Sequence, residues 1–197
     1  VLFRSVQNRS LAFFPTAITW QLWMPPFGEF TLLHWVLLGN GDWLTFLPQW
    51  SSLVLTMVAV SGITEKFSTK KRSLWLSALF VLTLPIIVLQ ASGAKNDIIL
   101  AFLFAALAYY VIKAANQELR NFDFLLAGIT VGLGLLTKGN FPFFALPLLV
   151  WLLVIAIKKM PWQKILLFIL IGLVSVASLN AGHWIRNTQT FGGPFNV

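Results

Sequence analysis

Lys95, Lys138 and Arg186 are the side chains of this sequence best suited to holding an anion. Each is an isolated cation beside a long apolar run, and each has polar company: Lys95-Asn96-Asp97, Thr137-Lys138-Gly139-Asn140, and His183-Trp184-Ile185-Arg186-Asn187. Lysine offers phosphate a compact point charge; arginine offers a planar fork of donors. Set together on one side of a membrane, such groups could clamp a lipid-linked phosphate while a group is transferred. Asp97, Glu29 and Asp42 put acids on that same side. The candidate substrate-binding set is therefore Lys95, Asp97, Lys138, Arg186, Asn187 and Glu29. Every member also has a plainer role. Asp97 can cap a helix, Lys138 can sit at a helix C-terminus where the dipole favours a cation, and Arg186 can anchor an interface beside Trp184.

Other chemistries lack their residues. There are no cysteines, so no disulfide, thiolate nucleophile or cysteine-ligated metal is possible within the chain. The histidines, His34 and His183, are far apart in sequence, and Glu29 and His34 do not share a helix face well. No HExxH, Walker loop or GxSxG occurs. Neither a metal nor a cofactor is expected. Asn8-Arg9-Ser10 matches a glycosylation sequon, a short and common pattern.

The elements that must position these residues are membrane helices. The chain has 197 residues, 58% hydrophobic and 10% charged, with a mean hydropathy of +0.82. Soluble domains carry about 25% charged residues. The net charge of +8 follows from membrane topology and contact with anionic headgroups, not from binding nucleic acid. A span needs roughly 20 apolar residues. Six runs qualify or come close, near 43–64, 74–91, 98–115, 122–137, 142–158 and 164–182. The fold class is thus all-α and polytopic, with residues 43–182 as the membrane module.

Charge sets the orientation. Nine cations (Lys66, Lys70, Lys71, Arg72, Lys113, Arg120, Lys158, Lys159 and Lys164) fall in the loops of one side. Five (Arg4, Arg9, Lys95, Lys138 and Arg186) fall on the other. Cytoplasmic loops collect Lys and Arg, so the candidate site faces outward. Residues 1–42 precede the spans and are rich in aromatics. Within them, 26–39 reads as a helix lying on the outer surface, opened by Pro25-Pro26 and ended by Gly39. Residues 183–197 read as the start of an outer loop. Gly128 and Gly132 form a small-xxx-small pair for close helix packing, extended by Gly134. Pro48, Pro85, Pro142 and Pro147 start or kink helices. The chain has no initiating Met, lacks a signal-peptide pattern and stops soon after Gly192-Gly193-Pro194, so it reads as an internal piece of a longer protein.

In this order the residues resemble a family. Pro25-Pro26-Phe27-Gly28-Glu29, an apolar helix and Gly41-Asp42 look like the second juxtamembrane helix of GT-C glycosyltransferases. Lys95-Asn96-Asp97, the run from Ala127-Gly128 to Thr137-Lys138-Gly139, and Arg186-Asn187 with Phe191-Gly192-Gly193-Pro194 follow the same pattern. Gln7-Asn8-Arg9-Ser10 to Phe14-Pro15-Thr16 resembles the end of a first outer loop. The pattern is similar to the branch that includes dolichyl-phosphate-mannose protein mannosyltransferases and bacterial aminoarabinose transferases. The resemblance implies a polyprenyl-phosphate-linked sugar donor, an acceptor on the outer face and inversion at the sugar carbon. It implies a catalytic carboxylate ahead of residue 1, so the base is unknown here and the piece alone is expected to be inactive. It also implies residence in membrane lipid, as in a bacterial inner membrane with the active side outward. Three other readings compete, of which the plainest is a purely structural membrane subunit, with only the outward charges against it. A secondary transporter of an anionic solute would use the same cations, but favours inverted repeats and midplane sites, which the sequence does not display. A ligase or polymerase of lipid-linked sugars would favour large Arg-rich outer loops.

Overall fold

The computed structural model describes residues 6–10, 13–14, 16–117 and 119–194. Arg4, Pro15 and residues 195–197 lie outside that set. Among the described residues the chain is helical and has no strand. Its helices are α1 (Trp20–Trp23), α2 (Phe27–Gly39), α3 (Leu47–Glu65), α4 (Lys71–Leu82), α5 (Pro85–Ala91), α6 (Asp97–Asn116), α7 (Asn121–Thr137), α8 (Phe141–Lys159) and α9 (Trp162–Phe191).

Four helices, α3, α6, α8 and α9, are long and apolar enough to cross a membrane. A fifth span results if α4 and α5 count as one, although they meet at 69°. That bend falls inside the expected 74–91 run, and Pro85 explains it. Proline lacks an N–H, clashes with the preceding turn and pushes the residue before it out of helical geometry. Leu84 accordingly has φ −86° and ψ 105°. The remaining expected span, α7, has 17 residues. Its apolar run is closed by Asp123 at one end and Lys138 at the other. At the far end of the chain, α9 does not stop near residue 182. It continues through His183 and Arg186 to Phe191, where Gly192 (φ 82°) ends it with a left-handed residue. Arg186, Asn187 and Phe191 contact Phe13 and Trp23 of the N-terminal segment, which supports helix where sequence alone indicated a loop.

The central helix is α6, which packs on α3, α7 and α8. Leu107 and Val111 are fully buried on it. One core cluster joins Val111, Ala114, Phe124, Leu152 and Ile155, and a second joins Ile99, Leu103, Leu107, Phe141 and Ala145. Outward faces stay apolar. On α9, Leu166, Leu170 and Leu173 are all exposed, as suits side chains that meet lipid rather than water.

Between apolar helices in lipid, hydrophobicity drives little association, so close packing and polar contacts matter. The α7–α9 seam uses both. A Cβ at Gly128 would lie 3.1 Å from the Cα of Gly172, and one at Gly132 would lie 2.7 Å from Leu179 Cδ1. Asn180, buried on α9, donates to the Gly132 carbonyl at 3.0 Å. Gly134 serves another neighbour: a Cβ there would run into the Phe141 ring.

Helix α2 begins one residue after the start expected from sequence, and Asn40 rather than Gly39 takes the left-handed cap, at φ 48° and ψ 37°. Asparagine tolerates that conformation. Gly39 is needed for space, since a Cβ would approach Trp43 Nε1 at 3.1 Å.

Candidate functional site

The helix ends sort the polar groups as the sequence pattern requires. The helix ends and connections that follow α3, α6 and α8 carry the nine-cation set, and the opposite end carries Lys95, Lys138 and Arg186. At that opposite end lies a cavity of about 750 Å³. Its walls come from the Leu22–Pro26 turn, from Glu29 and Phe30 of α2, from Asn96, from Thr137–Asn140, from Phe143 of α8, from Arg186 of α9, and from Phe13 and Phe14.

Two helix termini form one wall. The N-terminus of α6 and the C-terminus of α7 meet side by side. Lys138 leaves the helix there with extended backbone (φ −158°, ψ 132°), and its Nζ donates to Asp97 Oδ1 at 2.6 Å. An acid in the first turn of α6 and a cation at the end of α7 each oppose their helix dipole favourably. Asn96 Nδ2 adds a second tie, to the Thr137 carbonyl at 3.4 Å. Gly28 lets this wall approach α2, because a Cβ there would lie 2.6 Å from Asn96 Cβ.

The N-terminus of α6 is not capped by Asp97, which is the first helical residue, nor by the side chain of Asn96. Gln49, fully buried on α3, does that work from another helix. Its Oε1 accepts from the N–H of Ile98 at 2.8 Å and of Ile99 at 3.3 Å. Its Nε2 donates to the Gln90 carbonyl at 3.2 Å. One side chain thereby joins α3, the end of α5 and the start of α6.

Arg186 reaches the same cavity from α9. Its guanidinium carbon stands 4.4 Å from the centroid of the Phe13 ring and 5.9 Å from that of Phe30, a cation–π arrangement. The buried Nε has no hydrogen-bond partner among the described residues. The guanidinium thus lies against aromatic rings while a donor remains to be satisfied. Asn187, at 1% exposure, stays behind the cavity wall. Its Nδ2 donates to the carbonyls of Trp23 at 3.1 Å and Pro194 at 3.2 Å.

The six candidate residues therefore divide. Glu29, Lys138 and Arg186 line the cavity. Asp97 reaches it through Lys138, and Asn187 supports its wall. Lys95 is exposed in the turn before α6 and is not among the lining residues. His34 binds its own helix at Phe30 O, 2.8 Å away, apart from Glu29. The Asp42 carbonyl closes a local turn with Thr45. Among the described residues, no group of three or more His, Cys, Asp or Glu side chains is arranged to hold a metal.

Sequence reading passed over Gln49 and did not assign the aromatics to the lining. Gln49 had a signal, since an amide inside an apolar run must be hydrogen-bonded to be tolerated there. The aromatics had none that separated lining from interface.

Residues 24–180 match the family described as dolichyl-phosphate-mannose-protein mannosyltransferase. The chain belongs to this family. The match takes in Glu29, Asn96, Asp97 and Lys138, whereas Phe13, Arg186 and Asn187 lie beyond its limits. No curated protein and no solved structure matches the chain. Membership of this mannosyltransferase family supports a membrane glycosyltransferase, in keeping with the long apolar helices.

Proposed function

We propose that the cavity holds the phosphate of a polyprenyl-phosphate-linked sugar while the sugar passes to an acceptor on the outer face of the membrane. The observation that carries this reading is that Lys138 and Arg186 both line one aromatic-lined cavity, at the end away from the basic clusters. An aromatic lining suits a sugar and an isoprenoid, and two cations suit the phosphate between them. The Asp97 carboxylate orients the Lys138 ammonium, and Glu29 faces the same space. Lys95 would meet the donor only at the cavity's outer margin, and α2 would lie along the membrane surface.

The reaction is a single displacement. The acceptor hydroxyl oxygen attacks the anomeric carbon, and the bond from that carbon to the phosphate oxygen breaks. Polyprenyl phosphate leaves with the electron pair, and the hydroxyl proton passes to a carboxylate base. Lys138 and Arg186 are arranged to stabilise charge as it builds on the departing phosphate. This is the kind of interaction that lowers a barrier, because it strengthens toward the transition state.

The test uses the full-length protein in detergent with a radiolabelled polyprenyl-phosphate sugar, following release of the lipid phosphate. Wild type should release it. Lys138→Ala and Arg186→Ala should each slow release on the order of 10²-fold, the usual scale for loss of one preorganised donor. Unchanged turnover in both variants would remove the phosphate from this cavity. Uptake of an anion into vesicles without any lipid donor would favour a transporter instead.

A further inference from the structure

At the basic end, away from the cavity, α3 and α7 both pack on α6 and leave a groove of about 420 Å³ between them. Its lining is almost wholly apolar and includes Val58 of α3, Phe102 and Ala106 of α6, and Leu126 of α7. Val58 is 63% exposed, so the rim opens outward to where lipid lies. Toward the basic end the groove finishes on Tyr109. Gly62 lets that ring lie against α3, since a Cβ there would come within 3.1 Å of Tyr109 Cε2.

Two ammonium groups stand over this ring, Lys66 Nζ at 5.7 Å and Lys113 Nζ at 6.0 Å from its centroid. Their situations differ. Lys113 is neutralised by Asp123 at 2.6 Å. Lys66 meets Glu65 at 3.9 Å, and that carboxylate is 61% exposed, so water screens the pair. The side chain of Lys66 is itself only 11% exposed. It belongs to a loop that adds Lys70, Lys71 and Arg72. An apolar trough in the membrane thus ends under a cation with a weak partner, beside a cationic loop.

We propose that this groove binds an anionic phospholipid of the leaflet at the basic end, with an acyl chain along α6 and the headgroup phosphate against Lys66. Charge complementarity selects this occupant: the loop attracts anionic headgroups, and the mostly apolar trough suits an acyl chain. The site lies at the opposite end of the bundle from Lys138 and Arg186, so a donor phosphate held there cannot reach Lys66. The inference stands independently of the sugar-transfer reading.

Full-length protein, delipidated in detergent, is titrated with phosphatidylglycerol and with phosphatidylcholine, and bound lipid is counted by native mass spectrometry. Phosphatidylglycerol should bind more tightly by roughly fivefold, the affinity equivalent of one lysine's attraction to an anionic surface. Lys66→Gln should abolish that preference. Val58→Trp, a rim substitution that leaves the core intact, should lower binding of both lipids. Lys164→Gln, at the same end but outside the groove, should change neither. Equal binding of the two lipids, or a preference that survives Lys66→Gln, overturns the proposal. So does binding untouched by Val58→Trp, as when a further helix of the full-length protein fills the groove. Displacement of phosphatidylglycerol by polyprenyl phosphate would reassign the groove to the donor's chain.

Discussion

Two ion pairs of equal length carry different energies, because the surroundings decide what a pair is worth. Lys138–Asp97 and Lys113–Asp123 are both 2.6 Å apart. The first pair is 39% and 38% exposed at its side chains, the second 19% and 5%. Exposed pairs contribute about 0–1 kcal/mol, and solvent screening puts Lys138–Asp97 in that range. Removing one partner of a buried pair leaves an uncompensated charge and costs about 3–5 kcal/mol. Asp123 retains some help, since its Oδ2 accepts from the Arg120 N–H at 2.9 Å. Lys113→Met should therefore lower stability by about 3 kcal/mol, and Lys138→Met by less than about 1 kcal/mol. Equilibrium unfolding in mixed micelles would compare them, and equal losses would refute the assignment of roles. The contrast also separates function from structure. A residue that costs little to fold and still lines a cavity is free to serve a ligand, as Lys138 is proposed to do.

At the scale of elements, Gln49 shows how one helix end is set by another helix. Ile98 and Ile99 are buried, so without Gln49 their N–H groups would find no water. An orphaned buried donor costs about 1–3 kcal/mol. Gln49→Leu should then destabilise the protein by about 2–4 kcal/mol for the two donors and speed hydrogen exchange at Ile98 and Ile99. Protected amides in the variant would mean that the cap is supplied elsewhere. The same residue marks a limit of sequence reading. Apolar runs gave helix existence, because hydropathy and length are local properties. The start of α6 was legible as a polar turn, Lys95-Asn96-Asp97, and Asp97 looked like its cap. The cap came from a side chain 49 positions away, a contact no local pattern encodes. Pro85 was legible as a breaker, though not the 69° bend that follows, since packing of α5 against α3 and α6 sets that angle. Arg186 was legible as a cation outside the last run. Its stacking on Phe13 depends on where the N-terminal segment folds back, so neither that contact nor the helical continuation to Phe191 could be read from the apolar run alone.

For the whole molecule, polarity is the property on which the functional reading depends. The helices alternate in direction, so every basic loop shares an end, and the cavity with its Lys138 and Arg186 occupies the other. Arginine and lysine bias in short loops fixes orientation through the cost of moving those charges across the membrane. The basic end should therefore face the cytoplasm, and the cavity should open on the far side, where a lipid-linked donor and an outer acceptor could meet. The chain has no cysteine, so single cysteines placed in it report position cleanly once any elsewhere in the full-length protein are replaced. Thr69, in the loop after α3, and Ser92, in the turn before α6, are both exposed. In intact cells a membrane-impermeant maleimide should modify Ser92→Cys and leave Thr69→Cys unmodified until the membrane is opened. The reverse pattern would put the cavity on the cytoplasmic side, and outward transfer would then be impossible whatever the cavity binds. Labelling at both positions in intact cells would mean that the α4–α5 pair re-enters the membrane instead of crossing it. The count of spans before α6 would change by one, and the apparent agreement between loop charge and helix direction would have to be rebuilt from α6 onward.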